Sequence, residues 1–440
     1  EITIKSSLVD QNLASFFGRV NYKLMDRYML TASLRADGSS VFAPGKKWGY
    51  FPSVALAWRI NEENFLKNVD AISNLKLRLS WGQSGQCAID PYQTVGLLGN
   101  STYSFNNEGA YGFYPKTMSN KELTWETTTQ YNLGLDFGFF NNRISGSIDI
   151  YKAETRDILM NRVIPSINGY ASVMENIGKT ESTGVDLTLS TVNIQNKNFS
   201  WFSDFSLSHN REKIKELASG QLKDEANAWF VGEPFKVFYD YKKEGIWQLG
   251  EEAAAAANGQ EPGDIKVQDV DGNGVITTDD RIIYSQRPDV TFGFNNTFNY
   301  KGVDLSVFLY ARLGQWIAYD YNTTYRINAL ENGGNVDYWT PENPTNAFPR
   351  PNKSKSYTQV TYYSTLKYED GSFFKIRDIT LGYTFKPELL KHLNLSRLRV
   401  YATAKNFFTF SKIDNYDPEQ GGSISFPMTK QLVFGLNVEF

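Results

Sequence analysis

The sequence predicts an all-β chain, and within that class the wall of a transmembrane antiparallel β-barrel. Three observations predict it. Apolar side chains recur at every second position in about thirteen runs, the period of a strand whose two faces meet different surroundings. The links between runs alternate short and long, as in outer-membrane barrels, where tight turns gather at one end and long loops at the other. Aromatic residues make up 15% of the chain, with 26 Tyr and 30 Phe, yet mean hydropathy is only -0.42. No stretch approaches the roughly 18–20 continuous apolar residues of a membrane helix.

The elements follow in order. In FFGRVNYKL, Phe16, Gly18, Val20, Tyr22 and Leu24 share one face, and Arg19, Asn21 and Lys23 the other. Past Asp26 and Arg27, Leu30, Ala32 and Leu34 alternate with Thr31, Ser33 and Arg35. The pattern repeats through Val54, Leu56 and Trp58, then Leu75, Leu77, Leu79 and Trp81, then Tyr131, Leu133, Leu135 and Phe137. Ile144, Ile148 and Ile150 follow, then Val185, Leu187 and Leu189, then Trp201, Phe205 and Leu207. Two runs lie close together, Phe292, Phe294, Phe298 and Tyr300, then Val303, Leu305, Val307 and Leu309. Ile379, Leu381, Tyr383 and Phe385 precede Val400, Ala402 and Ala404, and the chain ends on KQLVFGLNVEF, with Leu432, Phe434, Leu436, Val438 and Phe440 on one face.

Short links fall near 25–27, 138–142, 191–198, 301–302 and 386–396; long ones near 38–49, 83–126, 155–183, 212–288, 312–372 and 406–427; the link 60–74 is intermediate. Charges occupy strand interiors opposite the apolar face, among them Lys76, Arg78, Asp136, Asp149, Asp304 and Arg399. A soluble sandwich also has a polar face, but its loops need not segregate by length. With Phe440 at the short-turn end, the first and last runs point the same way, whereas bacterial barrels close antiparallel. The sequence is therefore expected to be the C-terminal portion of a longer chain.

Composition excludes several classes. A net charge of -3 with dispersed Lys and Arg supplies no basic stripe for nucleic acid. The single Cys87 forms no internal disulfide, His209 and His392 are far apart in sequence, and there is no basic, apolar leader. No G-x-S-x-G, H-E-x-x-H or P-loop motif occurs, so no enzyme is expected; pairs such as Glu62/Glu63 and Asp279/Asp280 read as solvated turns or metal-loop ends.

Several segments in order, from FFGRVNYKLMDRYMLTASLRADGSSVFAPGKKWGYFPSVALAWRINEENFLKN through LKLRLSWGQSGQ, PGDIKVQDVDGNGVITTDDR, RPDVTFGFNNTFNYKGVDLSVFLYAR and YWTPENPTNAFPRP to FFKIRDITLGYTF, resemble the SusC/RagA family of TonB-dependent outer-membrane transporters. The resemblance implies a barrel of about 22 strands, preceded by a plug and a TonB-contacting segment that this sequence does not contain. It implies location in the bacterial outer membrane and import of oligosaccharides or peptides. It also implies a SusD-like surface lipoprotein partner, TonB engaged through the missing N-terminal region, and a terminal Phe resembling the signal read by the barrel-assembly machinery. On this reading residues 1–440 are the C-terminal part of the barrel, and 212–288 and 312–372 are extracellular loops.

DVDGNGVITTDD is the sharpest local motif. Numbered as an EF-hand loop, Asp269, Asp271 and Asn273 take positions one, three and five, Gly274 the turn, Val275 the backbone carbonyl, Thr277 position nine and Asp280 position twelve. All-oxygen donors suit Ca2+, or Mg2+, held to rigidify the loop; the alternative is an ion-free Asp/Asn/Gly turn. In the connection 312–372, Trp316, Tyr319, Tyr321, Tyr325, Tyr338 and Trp339 can stack on sugars or peptides or a partner, or pack the loop against itself. Tyr103, Phe105, Tyr111 and Tyr114 are equally two-sided, and EEAAAAANGQ suggests a short exposed helix. The rival to the transporter is a secreted, calcium-stabilised carbohydrate-binding β-protein.

Overall fold

Thirteen strands of the computed structural model form one sheet in simple sequence order. The structure describes residues 8–170, 172–328, 332–390 and 394–440; His392 lies outside them. The strands are β1 (Leu13–Leu24), β2 (Tyr28–Ser39), β3 (Trp48–Arg59), β4 (Ile72–Gln86), β5 (Glu126–Phe139), β6 (Ile144–Arg156) and β7 (Lys179–Gln195). They continue as β8 (Phe199–Glu216), β9 (Val290–Tyr300), β10 (Val303–Leu313), β11 (Phe373–Thr384), β12 (Arg397–Ser411) and β13 (Gln431–Glu439). Each of the thirteen runs falls on one of them, with Phe385 and Phe440 one residue past their strand ends. The chain divides into two compact units, Glu1–Leu189 with Asn210–Phe235, and Ser190–His209 with Lys236–Phe440.

Alternate connections lie at the same end of the strands. At one end they span 25–27, 60–71, 140–143, 196–198, 301–302 and 385–396; at the other, 40–47, 87–125, 157–178, 217–289, 314–372 and 412–430. Three of the short turns use left-handed backbone, at Met25 and Asp26, from Phe140 to Asn142, and at Lys301 and Gly302.

In the first unit the apolar face is bare: Phe16, Val20, Leu34, Leu56, Leu79, Leu133 and Ile150 are exposed. Its opposite face is an ionic mesh. Arg78 donates from Nε to Asp136 (2.9 Å) and from Nη2 to Asp149 (2.8 Å), and Lys76 pairs with Asp136. Arg78 reaches from β4 to β6 across Gly134 of β5, where a Cβ would lie 2.5 Å from the Asp149 carboxylate and 2.6 Å from the guanidinium.

The second unit repeats the device. Leu381, Leu432, Phe434 and Leu436 are exposed, while Arg399 of β12 grips Asp304 of β10 with Nε and Nη2 across Gly382 of β11. A bulge at Arg377, where the β10 and β12 registers both slip, returns Lys375 to the polar face after Asp378. Rings collect near both strand ends, as in Phe292 against Phe374, Phe374 against Phe410, and Trp201 stacked on Phe298. Such girdles mark membrane interfaces.

Unanticipated polar groups interrupt the apolar face beside the 196–198 turn. Ser203 donates to Asn296 Oδ1 (2.8 Å), which also accepts from Trp201 Nε1, and Asn193 donates to Ser203. Groups facing hydrocarbon must satisfy one another, and these do.

A carboxylate braces the link 60–71. Glu63 accepts from the Tyr28 hydroxyl (2.6 Å), Trp58 Nε1 (3.0 Å) and Arg27 (3.0 Å). The Tyr28 hydroxyl first, then Trp58 and Arg27, hold its carboxyl below the usual glutamate range. The bracing is therefore complete above that range and is lost as pH falls through the lowered value. Glu63→Gln is expected to flatten the acid limb of the pH–stability profile, read from heat-modifiable gel migration; an unchanged limb would show that Glu63 does not brace the link.

Candidate functional site

In the second unit the long connections fold into a capping structure of their own. Residues Val237–Tyr241 pair with Arg281–Ser285, Lys243–Ile246 with Ile265–Val267, and Trp316–Ala318 with Tyr368–Asp370. Ile246, Ile265, Val267, Tyr325, Ile327, Trp339, Tyr363 and Leu366 form its core. Polar tips inside it are satisfied: Trp339 Nε1 donates to Gln248 (2.9 Å), and the Tyr325 hydroxyl to the Pro349 carbonyl (3.1 Å). Burial pushes Lys243 down and Glu369 up, the Lys243 ammonium donating to the Ala347 carbonyl.

The aromatic residues of 312–372 therefore divide into packing groups. Tyr325 and Trp339 sit in the core just described, Tyr319 in a second cluster with Ile317 and Ile413, and Tyr321 stacks on Tyr319 at 5.8 Å. Trp316 meets Tyr284 edge-on at 4.8 Å. Sequence reasoning missed a neighbouring cleft of about 700 Å³, whose lining includes Asp320, Thr323, Arg326, Tyr362, Lys367 and Ile424; these residues form no motif. In the first unit, Tyr103, Phe105, Tyr111 and Tyr114 stand exposed on a hairpin, Leu98–Phe105 with Glu108–Pro115, turned by Asn106 and Asn107 at positive φ.

The acidic loop brings three of its carboxylates together. Carboxylate oxygens of Asp269, Asp271 and Asp280 lie within 4.8 Å of one another. Asp280, 0% exposed, accepts from the Val270 (2.8 Å) and Thr277 (2.7 Å) amides; these bonds, Thr277 foremost, lower its pKa despite burial. Asp269 accepts from Gly272 and Gly274, Asn273 Oδ1 accepts from Val275, and the Thr277 hydroxyl accepts from Asp279. The helix Glu252–Ala257 precedes the loop, and Asn258 at its end accepts from Ile276. His209, outside this group, bonds the Asp289 carbonyl through Nδ1.

Comparison with known proteins settles the family. Residues 4–407 match the family model described as TonB dependent receptor-like, beta-barrel. The chain belongs to the TonB-dependent receptor family. Receptor P26 of Formosa agariphila is 35% identical over 97% of this chain and 46% of its own length. The receptor SusC of Bacteroides thetaiotaomicron is 35% identical over 97% of this chain and 44% of its own. Among solved structures, the RagAB peptide transporter superposes with a TM-score of 0.81 at 27% identity, covering 98% of this chain and 48% of that one.

This receptor chain thus spans about half the length of the curated relatives it matches. It is an outer-membrane β-barrel chain of the SusC/RagA type. Its bare apolar faces suit acyl chains, where a sandwich would bury them, so the secreted lectin-like reading lacks support.

Proposed function

We propose that this chain is the barrel part of a SusC/RagA-like transporter importing oligosaccharides or peptides across the outer membrane. The observation that carries this is the combination of an ionic face, an apolar face and long connections folded into caps at one strand end. A SusD-like surface lipoprotein is the proposed partner at the 212–288 and 312–372 loops, which we place outside the cell, and TonB the proposed energy source. The test is uptake of labelled oligosaccharides and peptides by cells carrying the full-length gene or its deletion. Loss on deletion, restored by the gene, is expected; undiminished uptake of every nutrient tried would contradict it.

The acidic loop is proposed to hold Ca2+, or Mg2+, through Asp269, Asp271, Asn273, the Val275 carbonyl, Thr277 and Asp280. Hard oxygen donors and the convergence of three carboxylates support this, and the ion would offset their mutual repulsion. Replacing both Asp269 and Asp271 by Ala should abolish calcium-dependent protection of 212–288 from proteases. Protection unchanged by the substitutions would count against the ion.

A further inference from the structure

In the first unit, the connections 40–47 and 87–125 enclose a cleft of about 630 Å³ with two contrasting surfaces. Its floor is apolar and fixed. Val41 and Phe42, 2% and 1% exposed, belong to a cluster with Phe51, Ile89, Leu123 and Trp125, and Thr94 ties the far wall to the Val41 carbonyl. Its rim is cationic, for Lys46, Lys47 and Lys121 line the same cleft with Glu122 as the one carboxylate. Lys46 already takes Glu122, at 3.0 Å.

Lys47 and Lys121, from separate connections, therefore line one concave surface whose lining holds no second carboxylate. Over an apolar, poorly screening floor, an ammonium group attracts an anion more strongly than in open water. Tyr92, also lining the cleft, sits at φ 72, a left-handed conformation rare for a bulky residue and frequent at ligand sites.

We propose that this cleft is a binding subsite for an anionic nutrient segment, one whose apolar face rests on Val41–Pro44 while a carboxylate or sulfate reaches Lys47 and Lys121. The subsite rests on the import reading and narrows its substrate class. Acidic oligosaccharides and acidic peptides share this chemistry, and the test separates them.

Full-length transporter in detergent is titrated calorimetrically with trigalacturonate, triglutamate, and the neutral maltotriose and trialanine. One acidic probe is expected to bind at least about tenfold, or about 1.4 kcal/mol, more tightly than its neutral counterpart, and which one identifies the source. Lys47→Gln with Lys121→Gln should erase that preference, and Lys47→Arg with Lys121→Arg should keep it. Failure of both acidic probes to bind, equal binding of acidic and neutral probes, or a preference surviving the Gln pair overturns the subsite. Nutrient uptake by the same wild-type strain is followed in parallel: its presence with any of those results removes the subsite alone, and its absence removes the import reading.

Discussion

Lys375→Met is expected to release the connection 412–430 from the polar face of β11. Lys375 is 0% exposed, held between Asp417 (2.6 Å) and Glu419 (2.8 Å), with Arg377 also on Glu419 at 3.1 Å. Asp417 in turn caps the short helix Pro418–Gln420 by accepting from the Glu419 amide, and Gly422 accepts the Asp320 amide across to the neighbouring connection. Deleting Lys375 takes the cation from Asp417 and leaves Glu419 with Arg377 alone; breaking a buried ion pair in this way costs about 3–5 kcal/mol. The loss falls on this connection because both carboxylates belong to it, so hydrogen exchange around Asp417–Glu419 should rise by about two orders of magnitude or more. Adding Asp417→Asn and Glu419→Gln should restore much of the protection, since the stranded charges are then gone. Protection unchanged in Lys375→Met would show that the connection is held by something else.

Gly382→Ala is expected to be as damaging as the loss of a core side chain, although the residue has none. A Cβ there would stand 2.5 Å from both Asp304 oxygens and 2.6 Å from Arg399 Nη2, so the pair that joins β10 to β12 must part or the strand must bend. The pair is partly exposed, which places the loss at about 2–3 kcal/mol, below that of a fully buried pair. In a background carrying Asp304→Ala and Arg399→Ala the same substitution should cost little, because nothing remains to be displaced. Equal destabilisation in both backgrounds, from denaturant midpoints in detergent, would mean that backbone fit, and not the ion pair, requires the glycine. Gly134 beneath Arg78 and Asp149 is the same experiment in the other unit.

The wall was legible in the sequence because a membrane strand has one period and two unlike solvents. Leu75 to Trp81 and Tyr131 to Phe137 announce their faces without any knowledge of partners, and the alternation of link lengths, as between 140–143 and 157–178, follows from the same arrangement. What did not show was every feature that depends on distant residues meeting. The Arg377 bulge is set by registers with β10 and β12, and the Ser203–Asn296 bond joins residues far apart in the chain. The cap core draws Ile246 and Trp339 from separate connections without periodicity. For the site, the acidic loop was readable because its polar residues fall within one short stretch of chain, in which the carboxylates of Asp269, Asp271 and Asp280 lie close together. The two clefts were not, since Lys47 and Lys121, or Arg326 and Ile424, become neighbours only after folding.

Alternate side chains of each strand meet acyl chains on one face of the wall and water on the other. Single-cysteine labelling along β5, in the full-length protein with Cys87 and every other native cysteine replaced by Ser and held in lipid vesicles, tests this directly. Cysteines replacing Tyr131, Leu133 and Leu135 should react with a bilayer-soluble maleimide and resist a charged one, and those replacing Gln130, Asn132 and Asp136 should do the reverse. Labelling by the charged reagent at Leu133, or no alternation along the strand, would contradict the claim.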